Sequence, residues 1–319
     1  MAQNPDELKG KKILVTGGAG FVGSHIVDRL SPDNDVTVLD NMFTGSMTNL
    51  SKSKDRITFV KGDILDKELV NKLAADAEYI FHLAAHVGNI RSLEDPYFDM
   101  NVNIGGMLNL LEACRDTGVK RIVYSASAAS FGEARYLPID ENHPQYPESP
   151  YAASKLAAEK YAFTYYKVYN VPTAAVRYFN IYGPRQDTSE YANAVSIFLG
   201  KFKRKQPITI YGDGEQTRDF LFIQDVVNAN ILAATHPKAL GQNFNIATGK
   251  ATSINTVADI IDSISGYKNE RIYAPSRAGE VMHSRATIEK AQKTLGFNPT
   301  TTLEEGLRST WQELTKESK

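Results

Sequence analysis

Near the start of this 319-residue chain a short apolar run, Ile13-Leu14-Val15, passes straight into Gly17-Gly18-Ala19-Gly20-Phe21-Val22-Gly23 and then into a helical pattern stopped by Pro32. Glycines spaced G-x-x-G-x-x-G between a strand and a helix leave few folds open. The first, Gly17, makes the tight turn, and the second, Gly20, lets backbone approach a pyrophosphate. The third, Gly23, lets the helix pack on the strand. The helix that follows offers unpaired N–H groups and a partial positive charge to phosphates. A Gly-rich turn alone is weak, but this placement makes a dinucleotide site the expectation. About 20 residues further on, Asp40 closes the next apolar run, where a carboxylate can bind ribose hydroxyls. It would repel a 2′-phosphate and no arginine adjoins it, so NAD is expected rather than NADP. A surface aspartate capping the turn at Asn41 is the competing account. Asp63, in Gly62-Asp63-Ile64, could reach the adenine amino group or simply shape a turn.

Further short apolar runs follow at Val36–Leu39, Ile57–Val60, Tyr79–Phe81 and Arg121–Tyr124, with helical stretches before and between them. Strands apolar on both faces and separated by helices imply a parallel sheet covered on each side. The fold class expected is α/β, a doubly wound, Rossmann-like parallel sheet with ligands at the carboxyl ends of its strands. Past Pro184 the rhythm gives way to Gly/Asp loops and shorter helices such as Val257–Ile264. The division expected is 1–183 for the NAD-binding domain, with later segments returning to it, and 184–319 for a smaller α/β substrate-binding region.

A net charge of -1 gives no reason to expect nucleic acid or an anionic membrane as partner. Any bound anion must then be held by local arginines and helix ends. The first residues carry no apolar segment, and no later run reaches the ~20 residues of a bilayer span. One cysteine, Cys114, permits no internal disulfide. A cytoplasmic enzyme fits these features. His82 and His86 are four apart but lie at a strand end without an accompanying glutamate or cysteine, so they read as structural and no metal site is expected.

Tyr151-Ala152-Ala153-Ser154-Lys155 carries Y-x-x-x-K. Residues four apart share a helix face, so phenol and ammonium converge. A phenol with a pKa near ~10 is a poor base at neutral pH, and a neighbouring cation is expected to lower it. Tyr151 could then take a proton from a sugar hydroxyl while hydride leaves the same carbon. Such pairs are common on helix surfaces, and this chain has 16 tyrosines; the glycine fingerprint is what gives this pair weight. Ser125 and Ser127 follow a strand at its carboxyl end, where Ser127 can bond the reacting hydroxyl and steady the tyrosine.

Together these segments resemble the UDP-sugar 4-epimerase family of the extended short-chain dehydrogenase/reductases, over almost the whole chain. The resemblance rests on Val15–Gly23, Phe81-His82-Leu83-Ala84-Ala85, Ser125-Ala126-Ser127, Tyr151 with Lys155, Arg177–Gln186, Gly212–Phe220 and Arg277-Ala278-Gly279-Glu280. It implies a dinucleotide site that also draws on Phe21, Val22, Asn41, Ile64, Leu83, Ala84, Ala85, Asn103 and Tyr178. It implies further that Asn180, Arg218 and Arg277 bind the UDP diphosphate, and that NAD is regenerated in each cycle.

Related dehydratases and decarboxylases place a carboxylate just after the catalytic Ser/Thr, whereas Ala128 and Ala129 follow Ser127 here. Related uronate epimerases tend to lack the asparagine that is Asn180. What remains is oxidation at C4, rotation of the 4-keto sugar and return of hydride to its other face. In the family a tyrosine at the position of Ser284 restricts the enzyme to plain hexoses; serine leaves room for an N-acetyl group. The substrates expected are UDP-glucose/UDP-galactose and/or UDP-GlcNAc/UDP-GalNAc. The alternatives are UDP-glucuronate, for which Arg185 is the nearest cation although it reads as structural, another nucleotide-sugar oxidoreductase, and a non-catalytic dinucleotide sensor. Family members pair through two helices, and Asn103–Cys114 and Ala152–Tyr166 are apolar enough for a homodimer.

Overall fold

The computed structural model describes residues 8–189, 193–276 and 281–316. Strand β1 (Lys12–Thr16) enters the glycine turn, and α1 (Phe21–Leu30) leaves it. β2 (Asp35–Asp40), β3 (Ile57–Lys61), α2 (Lys67–Ala75) and β4 (Tyr79–His82) follow. The chain continues through two short helices, α3 (Asn89–Glu94) and α4 (Pro96–Met100), and a π-helical turn at Asn101–Gly105 into α5 (Gly106–Ala113). β5 (Arg121–Ser127) then leads to the long α6 (Pro150–Tyr169) and β6 (Thr173–Tyr178).

α6 starts where it does for local reasons. Ser149 caps it by accepting from the Ala152 N–H, and Pro150 supplies a helix-ready φ at the first turn. Asn170 ends it in the left-handed region at φ 58°. Tyr151 therefore sits in the first turn, at the mouth of the sheet, and Lys155 one turn deeper.

The second part begins with β7 (Asn180–Tyr182), α7 (Ala194–Lys203), β8 (Ile208–Tyr211), β9 (Thr217–Arg218) and β10 (Phe220–Phe222). It continues with α8 (Ile223–Thr235), β11 (Asn243–Ile246), β12 (Thr252–Ser253), α9 (Ile254–Ser265), β13 (Arg271–Ala274), α10 (Glu289–Leu295) and α11 (Leu303–Thr315). The main sheet has seven strands in the order β11-β6-β5-β4-β1-β2-β3, all parallel. Thus β11 and α8, both beyond residue 184, belong to it. Three two-stranded pieces, β10-β7, β12-β9 and β13-β8, make up the smaller region.

The sheet divides two apolar cores. One gathers Ile26, Phe81, Val176, Val226 and Phe244; the other gathers Leu14, Ile80, Leu110, Tyr124 and Ala162. All six residues of β6 are buried, including Arg177, which makes a two-pronged ion pair with Glu159 of α6; each of those side chains is 1% exposed. Periodicity does not single β6 out as a strand, because its run Thr-Ala-Ala-Val-Arg-Tyr is neither alternating nor strongly apolar. Position fixes it, since it must pair with β5 to shelter the Glu159–Arg177 bond.

Candidate active site

A cavity of about 1060 Å³ runs along the carboxyl ends of the central strands, the place a doubly wound sheet puts its ligands. One end is built on the glycine turn. Gly17 has φ 70°, and a Cβ there would lie 2.7 Å from the Ala84 nitrogen; a Cβ on Gly23 would lie 2.2 Å from the Gly17 oxygen. Turn, α1 and the segment after β4 can close up only around glycine. Gly17, Gly20, Phe21, Val22 and Gly23 line the cavity here, with Leu83, Ala84 and Ala85 opposite.

Asp40 lies on the same wall and is 7% exposed. It accepts from the Ala19 N–H at 2.9 Å and the Met42 N–H at 2.8 Å. The capping role and the ligand-facing role are therefore held by one carboxylate, with lone pairs left for ribose hydroxyls. Asn41 and Ile64 line the cavity, but Asp63 does not. Asp63 accepts from the Asn41 amide at 2.9 Å and from the Leu65 N–H, so it acts as the turn residue that sets Asn41.

Toward the other end lie Ser125, Ser127, Tyr151, Tyr178 and Asn180. Ser127 ends β5, and its hydroxyl and the Tyr151 phenol share the cavity wall. Burial pushes that phenol above its ordinary value, the Ser127 hydroxyl pulls it back, and Asp99 adds to the rise. Lys155 is not among these influences on the phenol of the protein alone. Lys155 is 4% exposed and sits behind the cavity wall. Burial brings its pKa down to about 7, against the pull of Asp99 and Glu159 toward the charged form. A half-neutral lysine cannot by itself hold a phenolate. Tyr178 is also raised by burial; its hydroxyl donates to Asn230 at 2.9 Å and is bonded by Ser125.

Asn103, implied at the cofactor by the resemblance, is held in a buried polar knot. Its oxygen accepts from the His86 N–H at 2.9 Å, and its amide nitrogen lies within hydrogen-bond distance of the His86 carbonyl, Asp99 and Ser154, among which its two hydrogens are shared. The Ser154 hydroxyl donates to Asp99, which is 0% exposed. With its polar atoms spent in this knot, Asn103 does not line the cavity and acts as scaffold. The π-helical turn provides the kink that places it there. His86 joins the knot yet also faces the cavity. His82 is 1% exposed, bonds Thr16 through Nδ1 at 2.8 Å, and is held down to about 3 by burial and then by Lys155. Among the described residues no cluster of His, Cys, Asp or Glu is arranged for a metal ion.

Of the residues implied at the diphosphate, Asn180 and Arg218 lie within the described residues, as does Ser284, implied at the sugar. Asn180 faces the cavity, whereas Arg218 and Ser284 lie outside its lining. Arg277 lies outside the described residues. Arg218 donates to the Thr217 carbonyl, and the Ser284 N–H bonds the same carbonyl at 3.1 Å. The link to Asn180 is Asp219, whose carbonyl accepts from the Asn180 N–H. The Asp219 carboxylate is buried, and it accepts from Thr248 and Gly249 N–H groups and the Thr248 hydroxyl. Sequence reading passed over this anchor, whose only signal was an acid beside a strand.

Also missed were Phe43, Arg91 and Asp187, all in the lining. Arg185, read as a turn residue, pairs with Asp28 and lines the cavity as well; its Nη1 is buried with no hydrogen-bond partner. Phe43, Arg185 and Asp187 sit on loops, and Arg91 on the six-residue α3, too short for periodicity to place.

A turn that only glycine can close, an acid at the end of β2, a serine at the end of β5 and a phenol in the first turn of α6 line one crevice. The profile of the NAD dependent epimerase/dehydratase family matches residues 13–247. The chain belongs to that family. A putative UDP-glucose 4-epimerase of Methanocaldococcus jannaschii is 43% identical over 93% of this chain and 96% of its own length. Among solved structures, the UDP-N-acetylglucosamine 4-epimerase of Methanobrevibacter ruminantium, in complex with UDP-N-acetylmuramic acid, superposes with a TM-score of 0.92 at 37% identity. That match covers 96% of this chain and 98% of the other. The UDP-glucose 4-epimerase of Thermotoga maritima with UDP-glucose gives 0.90 at 37% identity, covering 95% and 98%. Family membership makes NAD the dinucleotide for this crevice, and Gly17, Gly20, Asp40 and Ala84 are the residues whose geometry fits it.

Proposed function

We propose that the protein is an NAD-dependent isomerase that inverts C4 of a UDP-linked hexose through a transient 4-keto sugar. The observation that carries this reading is the Tyr151 phenol at the cavity wall together with Ser127, with Lys155 one helical turn behind. Bound NAD supplies the hydride acceptor and donor, and a cationic ring that favours the phenolate. Tyr151 Oη takes the proton of the C4 hydroxyl and later returns it to the 4-keto oxygen. Ser127 bonds the same oxygen and keeps the phenol in line. Lys155 adds positive charge behind the phenol below about pH 7. Ala129 lines the cavity where a dehydratase would need an acid, which supports a reaction that stops at C4.

In this reading the nucleotide-sugar is held by residues beyond 184 together with Asn180. Arg218, and with it Arg277, take the diphosphate. Ser284 leaves room for a C2 acetamido group, so both plain and N-acetylated hexoses are substrates. The protein works in the cytoplasm as a homodimer. Exposed Tyr97 and Met100 on α4 and Tyr161, Val168 and Tyr169 on α6 support that pairing.

The test is incubation of purified protein, without added cofactor, with UDP-glucose and separately with UDP-GlcNAc, resolving the products by chromatography. Conversion of either to its 4-epimer is the expected result. No conversion of either, with or without NAD, would remove these substrates from consideration.

A further inference from the structure

The loop after β2 crosses the crevice. Sheet order places β1 between β2 and β4, so a contact between the loop leaving β2 and the segment leaving β4 must pass over the carboxyl end of β1. That end is where the glycine turn lies. Phe43, from the loop after β2, makes such a contact: its ring centre is 5.9 Å from that of His86 and 5.8 Å from that of Phe98. His86 and Phe98 meet edge to face at 5.0 Å. All three rings line the cavity, yet Phe43 is 60% exposed.

Both sides of this contact are fixed from below. Met42 takes the left-handed φ of 66°, its N–H bonded to Asp40, and the Phe43 N–H bonds Asn41 Oδ1 at 3.0 Å. Beyond the ring, the Ser46 N–H and the Asn49 amide both bond the Ala19 carbonyl, so the loop returns onto the glycine turn. Opposite, His86 is held by Asn103 and Asp99. A mostly exposed phenylalanine gains little from burial, and a loop this tightly tied does not need it for order.

We propose that Phe43, resting on His86 and Phe98, is a strap across the dinucleotide crevice that sets how fast the dinucleotide leaves. The proposal rests on the assignment of this crevice to NAD. The same Asp40 that faces the ribose also holds the turn presenting the ring, so cofactor recognition and cofactor retention share one anchor. Release of the dinucleotide then requires the Phe43 contacts to open, a local event that leaves the sheet intact.

The experiment compares wild type, Phe43→Ala and Phe43→Tyr, each loaded with NAD, by exchange against excess labelled NAD followed on a desalting column. Loss of two ring contacts is expected to speed release about ten-fold in Phe43→Ala. Phe43→Tyr, which keeps the ring, is expected to release at the wild-type rate. Wild-type release by Phe43→Ala, or equally fast release by both variants, would overturn the strap. A wild-type protein that takes up no NAD at all would overturn the cofactor reading itself, and the strap with it.

Discussion

The ammonium of Lys155 lies 4.5 Å from the centre of the Tyr124 ring. A cation over an aromatic face is attracted by the ring's negative quadrupole, and this ring belongs to β5, the strand that ends at Ser127. The sheet itself therefore helps hold the lysine behind the tyrosine. Tyr124 in turn donates to the Lys155 carbonyl at 3.3 Å, fixing the helix at that residue.

Burial of that ammonium works against folding. In the folded protein Lys155 loses its proton near pH 7, and in the unfolded chain near 10.5. Between these values the unfolded state binds the extra proton, so this group's contribution to stability rises with pH across the window. Lys155→Met removes the desolvation cost. Its thermal midpoint should exceed the wild type's at pH 6, with the gain fading toward pH 10, while turnover is lost. A lower midpoint at pH 6 would contradict the burial argument.

Tyr151→Phe should lower kcat by about 10²–10⁴-fold, the range for a positioned proton-transfer group, with NAD still bound. Ser127→Ala removes only the hydroxyl that pulls the phenol back toward its ordinary value. It should cost less and move the pH dependence of kcat to higher pH. Full activity in Tyr151→Phe would end the assignment of the base.

Much of this was legible in the residues. The first five strands and the glycine turn were readable because each strand is a compact apolar run and each glycine answers a steric demand. The partners of Asn103, His86 and Ser154, are distant in sequence and so not legible there. Spacing reports the proximity of Lys155 to the phenol and says nothing of the burial that raises the phenol and lowers the lysine. Phe43 and Asp187 lie on loops, which have no period, and Arg91 on a six-residue helix, too short to show one.

The Glu159–Arg177 pair gives a separate test of the sheet. Arg177→Met leaves a buried carboxylate without its partner and should destabilise by about 3–5 kcal/mol. Adding Glu159→Leu should restore most of that. Urea unfolding midpoints of the three proteins decide it, and a single variant as stable as the wild type would show the pair to be idle.

In the proposed function substrate choice rests on Ser284, whose N–H is tied to the Thr217 carbonyl. Ser284→Tyr should cut kcat/KM for UDP-GlcNAc at least about ten-fold, since a pocket can exclude bulk, and leave UDP-glucose within a few-fold. Equal losses on both substrates, measured by product chromatography, would move the specificity element elsewhere.

The position of β11 has a consequence for synthesis. β6 is flanked by β5 on one side and by β11 on the other, and the whole stretch from β7 to α8 is translated between them. While a ribosome makes that stretch, the β6 edge stands open to any passing strand, the hazard that natural sheets guard against. Arg121 of β5 offers a means of early closure. Its guanidinium donates to the carbonyls of Ala233 and His236, at and just beyond the end of α8, so α8 can dock before the edge strand emerges. The nascent chain would then carry its own temporary cover, laid down one helix ahead of the strand that seals the sheet.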